Sequence, residues 1–172
     1  MIALDLAAKR FGAAQILAPM QITVAPGEVL GIAGPSGAGK TTLLRILAGL
    51  DARFEGRLSA EGRRAMVFQS PTLMPWRTVL ENITIPTDCS RAEAEAMLSR
   101  VGLSGMGAMW PGQLSLGQQR RVGLARAFVG RPEVLILDEP FASLDAERIE
   151  DLIALLLDLL AESGAAAVLA SH

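Results

Sequence analysis

The chain has 172 residues, of which 51% are hydrophobic and 20% charged, with a formal net charge of -2. That length holds one domain with a sizeable core and room for a subdomain, and the composition excludes a disordered chain. The near-neutral charge leaves no electrostatic footprint for nucleic acid, and the single Cys89 excludes an internal disulfide and offers no metal cluster, as in a reducing cytosol.

The opening MIALDLAAKRFG is too charged, and too short in its apolar run, for a secretory signal. The head, residues 2–28, reads as strand-like pieces joined by glycine and proline turns, an antiparallel flap on the core. VLGIAG (29–34) is a short apolar run ending at glycine, the pattern of a buried strand. KTTLLRILAGL (40–50) places Leu43, Leu44, Ile46, Leu47 and Leu50 at helical spacings, with Gly49 near its stop. AMVFQ (65–69), VLILDE (134–139) and AAAVLAS (165–171) repeat the strand pattern, as strands buried on both faces of a parallel sheet do. Between 70 and 130 the text turns helical and proline-interrupted, with SRAEAEAMLSRVGL (90–103) the clearest helix. Arg120, Arg121 and Arg126 on a later helix read as a solvated face. IEDLIALLLDLLAESG (149–164) is broken by Asp151 and Asp158 and falls short of the ~20 apolar residues of a membrane span. A soluble chain is expected, its membrane role, if any, supplied by a partner.

The alternation predicts an α/β fold with a largely parallel sheet. Residues 1–69 and 131–172 are expected to form this α/β core with the β flap, and residues 70–130 an inserted helical subdomain.

Gly34-Pro35-Ser36-Gly37-Ala38-Gly39-Lys40-Thr41 fits the phosphate-binding pattern G-x-x-x-x-G-K-[ST], with a strand before it and a helix after it. Its glycines allow close backbone approach, so that successive N–H groups can point at phosphate oxygens beside a helix N-terminus. Lys40 can reach the β- and γ-phosphates, the Thr41 hydroxyl can ligate Mg²⁺, and Thr42 adds a phosphate contact. Asp138, at the carboxyl end of an apolar strand, would hold Mg²⁺ through its water shell. Glu139 is placed to orient or deprotonate an attacking water. The loop holds a nucleoside triphosphate.

With these motifs the whole chain resembles the nucleotide-binding subunit of an ATP-binding-cassette (ABC) transporter. The resemblance implies a Mg²⁺-dependent ATPase and assigns further residues. Phe11, in KRFG, matches the aromatic that stacks on adenine. Gln69, in MVFQSP, matches the glutamine of the Mg²⁺ and water shell that signals to the membrane subunit. LSLGQQRRVGLARA (114–127) matches the signature segment, whose Ser115, Gly117 and Gln118 would bind the γ-phosphate held by an opposite subunit. Ser143, Leu144 and Asp145 match the loop that crosses to that subunit, and His172 the switch histidine at γ-phosphate. Two copies would meet head to tail and enclose two ATP molecules.

The implied partners are a second copy, membrane permease subunits and a substrate-binding protein, with the chain cytoplasmic at the inner face of the membrane. The loop QSPTLMPWRTVLENI would present Leu73, Met74 and Trp76 to a permease helix. This loop and DEPFASLD resemble importer cassettes serving nitrate, sulfonate or thiamine-related permeases. Leu116 stands where the family's first signature glycine is usual. The sequence stops at His172, where family members continue, so a truncated form or a short subunit are both open, and with them a module that binds ATP without efficient turnover. A GTPase would show an Asn-Lys-x-Asp guanine reader, yet the only asparagine, Asn82, is followed by isoleucine. DNA-repair ATPases of the same superfamily need long heptad insertions that are absent.

Overall fold

The computed structural model describes residues 1–142 and 145–171, leaving aside the side chains of residues 146–148. The flap begins with β1 (Ile2–Phe11), whose alternate residues Ile2, Leu4, Leu6 and Ala8 are buried, giving it one core face. The chain turns at Gly12 and Ala13 and returns antiparallel along β1, first as β2 (Ala14–Leu17) and then as β3 (Met20–Val24). A further strand, β5 (Glu55–Ala60), pairs antiparallel with the other edge of β1. It comes from beyond the first helix and was not foreseen, because EGRLSA has Leu58 as its only large apolar residue.

The second sheet is wholly parallel. It runs in the order β4 (Val29–Ala33), β8 (Ala166–Ser171), β7 (Val134–Asp138), β6 (Arg64–Val67). β7 is buried at all five positions, which its unbroken VLILD run requires. β4 departs from the expectation of burial on both faces. It is an edge strand with alternate residues exposed, and Val29 is 52% exposed.

Each face of this sheet covers one core. On one side α1 (Lys40–Leu47) and the flap bury Leu4, Leu6, Leu44 and Leu47 against Ile136 and Val168. On the other lie α2 (Val79–Thr87), α3 (Arg91–Arg100), α4 (Leu116–Val129) and α5 (Ala146–Ser163), whose Ile83, Leu98, Val122 and Leu156 share a core with Leu135, Leu137 and Ala167. Strand alternation sends consecutive β7 residues to opposite cores, each contributing about 1.5–3 kcal/mol on burial. No helix among the described residues is long and apolar enough to cross a membrane.

α2 and α3 start with capping boxes. Thr78 and Ser90 accept from the backbone N–H of Glu81 and Glu93, whose carboxylates accept in return from the Thr78 and Ser90 backbones. α4 buries Val122 and Ala125 as its periodicity predicts, but its arginines are not a solvated face. Arg120 is 6% exposed and donates to the carbonyls of Pro140, at 2.8 Å, and Ala142. Arg126 donates to the carbonyls of Pro71 and Thr72 and to the Thr72 hydroxyl, and Arg121 to the Val101 carbonyl at 3.1 Å. Burial pulls the pKa of both Arg120 and Arg126 downward, though a guanidinium stays charged. Charge counting alone misreads such residues, since their partners are backbone carbonyls from distant loops.

Candidate nucleotide site

Because β4, β6, β7 and β8 are parallel, their carboxyl ends meet along one edge of the sheet, where open α/β sheets place ligands. There β4 runs into the glycine loop, β6 into Phe68 and Gln69, and β7 into Glu139, while β8 ends at Ser171. His172, Ser143 and Leu144 lie outside the described residues.

In the loop, Gly37 has φ 79° and Gly39 φ 89°. A side chain at Gly37 would meet open space, so conformation rather than crowding calls for glycine there. At Gly39 both reasons apply, because a Cβ would come within 2.8 Å of Leu17 Cδ2 on β2. Gly39 caps α1 without any side-chain hydrogen bond. The N–H groups of Gly37, Gly39 and Lys40 find no acceptor among the described residues. Orphan donors at a helix start are the chemistry of an anion site. Gly34, Pro35, Ser36, Ala38 and Thr42 complete its frame, with the Ala38 N–H closing a turn on the Pro35 carbonyl at 3.2 Å.

Lys40 is 8% exposed and lies back along this frame. Its ammonium donates to the carbonyls of Gly34 at 2.6 Å and Pro35 at 3.1 Å, and sits 3.9 Å from Glu139 Oε1. The Thr41 hydroxyl donates to Asp138 Oδ1 at 3.2 Å, across 97 positions of sequence. Two hard oxygen donors thus face each other beside the cradle, a pair suited to a small divalent cation shared with phosphate. Glu139 adopts φ 47°, unusual for a residue with a side chain, and its N–H donates to the Ala170 carbonyl of β8 at 3.1 Å. The bend turns its carboxylate out of the sheet towards Lys40. Gln69 is exposed two residues beyond β6.

A second cluster opens α4. Ser115 is its N-cap: its hydroxyl accepts from Gln118 N–H at 3.3 Å while Gln118 Oε1 accepts from Ser115 N–H at 2.8 Å. A Cβ on Gly117 would meet nothing nearer than Ser115 Oγ at 4.0 Å, and Leu116 is 41% exposed, so neither crowds the helix start. α1 and α4 have no acidic residue in the first turn, whereas α2 and α3 carry Glu81 and Glu93 there. Among α1–α4, the two starts free of carboxylate are those that follow the glycine loop and Ser115, and a helix N-terminus free of carboxylate favours an anion. Asp145 is exposed immediately before α5.

At the tip of the flap hairpin Phe11 closes β1, 58% exposed, with the buried Lys9 ammonium 4.7 Å from its ring centre. Lys9 went unnoticed in the sequence, where one lysine among strand residues carries no pattern. Asn82 likewise has a structural part: its side chain accepts from Met74 N–H at 2.7 Å and donates to the Met74, Arg77 and Thr78 carbonyls, fixing the loop that bears Trp76.

A parallel sheet, a glycine cradle running into α1, and an aspartate facing its threonine define a P-loop NTPase. Residues 17–142 match the ABC transporter family. The chain belongs to that family and carries its ATPase cassette. It is 42% identical over 166 residues to the aliphatic sulfonates import ATP-binding protein SsuB 2 of Paracoccus denitrificans, covering 95% of this chain and 68% of the relative. It is 46% identical over 145 residues to SsuB of Corynebacterium glutamicum, covering 80% of this chain and 60% of that protein. The chain thus spans between 60% and 68% of the length of these two relatives. The dimeric ATP-binding cassette MJ0796, in a post-hydrolysis state with ADP and Pi, superposes with a TM-score of 0.88 at 29% identity, over 100% of this chain and 88% of that one.

Proposed function

We propose that this chain binds and hydrolyses ATP to power a small-solute importer of the aliphatic sulfonate kind, working at the cytoplasmic face of the membrane. Its partners are permease subunits, a second copy of itself and, in the assembled importer, a substrate-binding protein. The observation that carries the reading is the Thr41–Asp138 contact at 3.2 Å, which joins the phosphate-facing end of α1 to the acidic end of β7. The names of the SsuB relatives support the substrate class, and the dimeric cassette supports the assembly.

The roles proposed extend the motif assignments. The N–H groups of Gly37, Gly39 and Lys40 within Gly34–Thr42 receive the phosphates, Lys40 exchanges its loop carbonyls for β- and γ-phosphate oxygens, and Phe11 offers a stacking face to adenine. Thr41, Asp138 and Gln69 would hold a magnesium ion, whose chemistry here is to neutralise charge on the β- and γ-phosphate oxygens. Glu139 orients or deprotonates the attacking water, with His172 assigned to the γ-phosphate by its family position. Ser115, Gly117 and Gln118 of one copy meet the γ-phosphate held by the other, and Asp145 crosses the same interface. Charge-assisted bonds of about 1.5–3 kcal/mol each hold the closed dimer until phosphate leaves. The exposed Trp76 stands on the loop that meets the permease.

The test is Glu139→Gln. It is expected to retain ATP binding, abolish phosphate release and trap a dimer in sedimentation with saturating Mg-ATP. Sedimentation as monomer alone under those conditions counts against the head-to-tail site.

A further inference from the structure

Lys9 is the largest buried polar side chain of the flap, at 2% exposure. An ammonium is costly to bury unless every donor is engaged, and an aliphatic residue would fill the same space without that cost. Its partners account for the charge. Nζ sits 2.6 Å from Asp51 Oδ2 and donates to the Arg53 carbonyl at 2.6 Å, and the remaining side of the ammonium lies over the Phe11 ring. A buried cation therefore grips one face of a ring that is itself 58% exposed. The attraction between cation and ring quadrupole fixes the ring's tilt and draws electron density from its free face, which favours stacking on an electron-rich purine.

The anchor of this grip is the helix that bears the phosphate cradle. The N–H groups of Leu50 and Asp51 both donate to the Arg45 carbonyl in the last turn of α1, so the Lys9–Asp51 pair ties β1 to that end. At the opposite end Leu17 of β2 packs against Gly39. The hairpin carrying Phe11 is thus braced on α1 at both ends, and the separation between ring and cradle is set.

We propose that Lys9, held by Asp51 and the Arg53 carbonyl, is a positioning residue that fixes Phe11 relative to the phosphate cradle and so gives the site its preference for a purine nucleotide over a bare triphosphate. The inference rests on the reading of Phe11 as the base platform and of residues 34–42 as the cradle.

The experiment measures affinity of the full chain for ATP and for inorganic tripolyphosphate, each with magnesium, by calorimetry. Wild type, Lys9→Met, Lys9→Arg and Phe11→Ala are compared. Lys9→Met is expected to lose about tenfold in ATP affinity with tripolyphosphate affinity unchanged, and Lys9→Arg to recover most of the loss. An equal loss for both ligands, or no loss for either, overturns the proposal. Asp51→Asn, which loosens the same ammonium without removing it, is read in the same way should Lys9→Met not fold. Failure of the base-platform reading shows separately, as wild type binding both ligands equally and Phe11→Ala changing neither.

Discussion

The Lys40 ammonium donates to the Gly34 and Pro35 carbonyls of its own loop, so the side chain assigned to phosphate also ties the loop to the start of α1. On the proposed reading phosphate oxygens would replace those acceptors, and hydrogen bonds to charged partners are about twice as strong as neutral ones. Lys40→Ala is therefore expected to weaken Mg-ATP binding by about ten- to a hundredfold. Titration calorimetry giving an unchanged Kd would contradict the cradle. The glycine loop, Asp138 and Glu139 were legible because each is a fixed residue type at a fixed offset from an apolar run. Lys9, Arg120 and Arg126 were not legible. Their meaning lies in partners 20 to 55 positions away, such as the Asp51 carboxylate and the carbonyls of Pro140, Pro71 and Thr72, and a residue type does not name its acceptors.

Among elements, the helix starts divide into two chemistries. α2 and α3 hold a glutamate in a capping box, and the hydrogen bonds from Thr78 and Ser90 keep the Glu81 and Glu93 carboxyls below the usual carboxylate range. Asp51 is held low as well, chiefly by Lys9. A carboxyl whose folded pKa is depressed adds stability that is fully present above its unfolded pKa and disappears as pH falls through the folded one. The chain should thus lose stability below about pH 4, where these groups take up protons. Replacing the capping hydroxyls in Thr78→Ala/Ser90→Ala should cost about 1 kcal/mol per cap at neutral pH and flatten the acid decline. Urea unfolding at pH 7 and pH 3 measures both, and an acid decline as steep in the double variant as in wild type would sink the argument. α4 uses Gln118 in the same box, so its cap adds no acid sensitivity. The capping boxes also mark what was missed in reading the elements. Thr78 and Glu81 announce α2, yet the prolines Pro71 and Pro75 make QSPTLMPWRTVLENI read as a loop throughout, whereas its last five residues open α2 at Val79. β7 and β8 were plain, because burial on both faces leaves an unbroken apolar run. β4 shows the limit of that rule, since an edge strand can carry the same run.

For the molecule as a whole, α4 is the element that listens to both ends of the chemistry. Its first turn carries the Ser115 cap, Arg120 reaches the carbonyls that follow Glu139, and Arg126 reaches the loop that follows Gln69. One rigid helix is therefore bolted to the two loops that leave β6 and β7 at the nucleotide edge. Any shift of those loops on nucleotide binding must move α4 or break charge-assisted bonds to carbonyls. Thr72, which accepts from Arg126 through both its carbonyl and its hydroxyl, holds φ 48°, a conformation that needs such outside support. Arg126→Met keeps the aliphatic stem but removes the three bonds. It should loosen residues 70–77, Trp76 among them, without touching Gly34–Thr42. The expected result is faster amide hydrogen exchange across that loop, a several-fold drop in ATP turnover, and monomer affinity for Mg-ATP within about twofold of wild type. Exchange in that loop identical to wild type would show that α4 and the loop after β6 move independently.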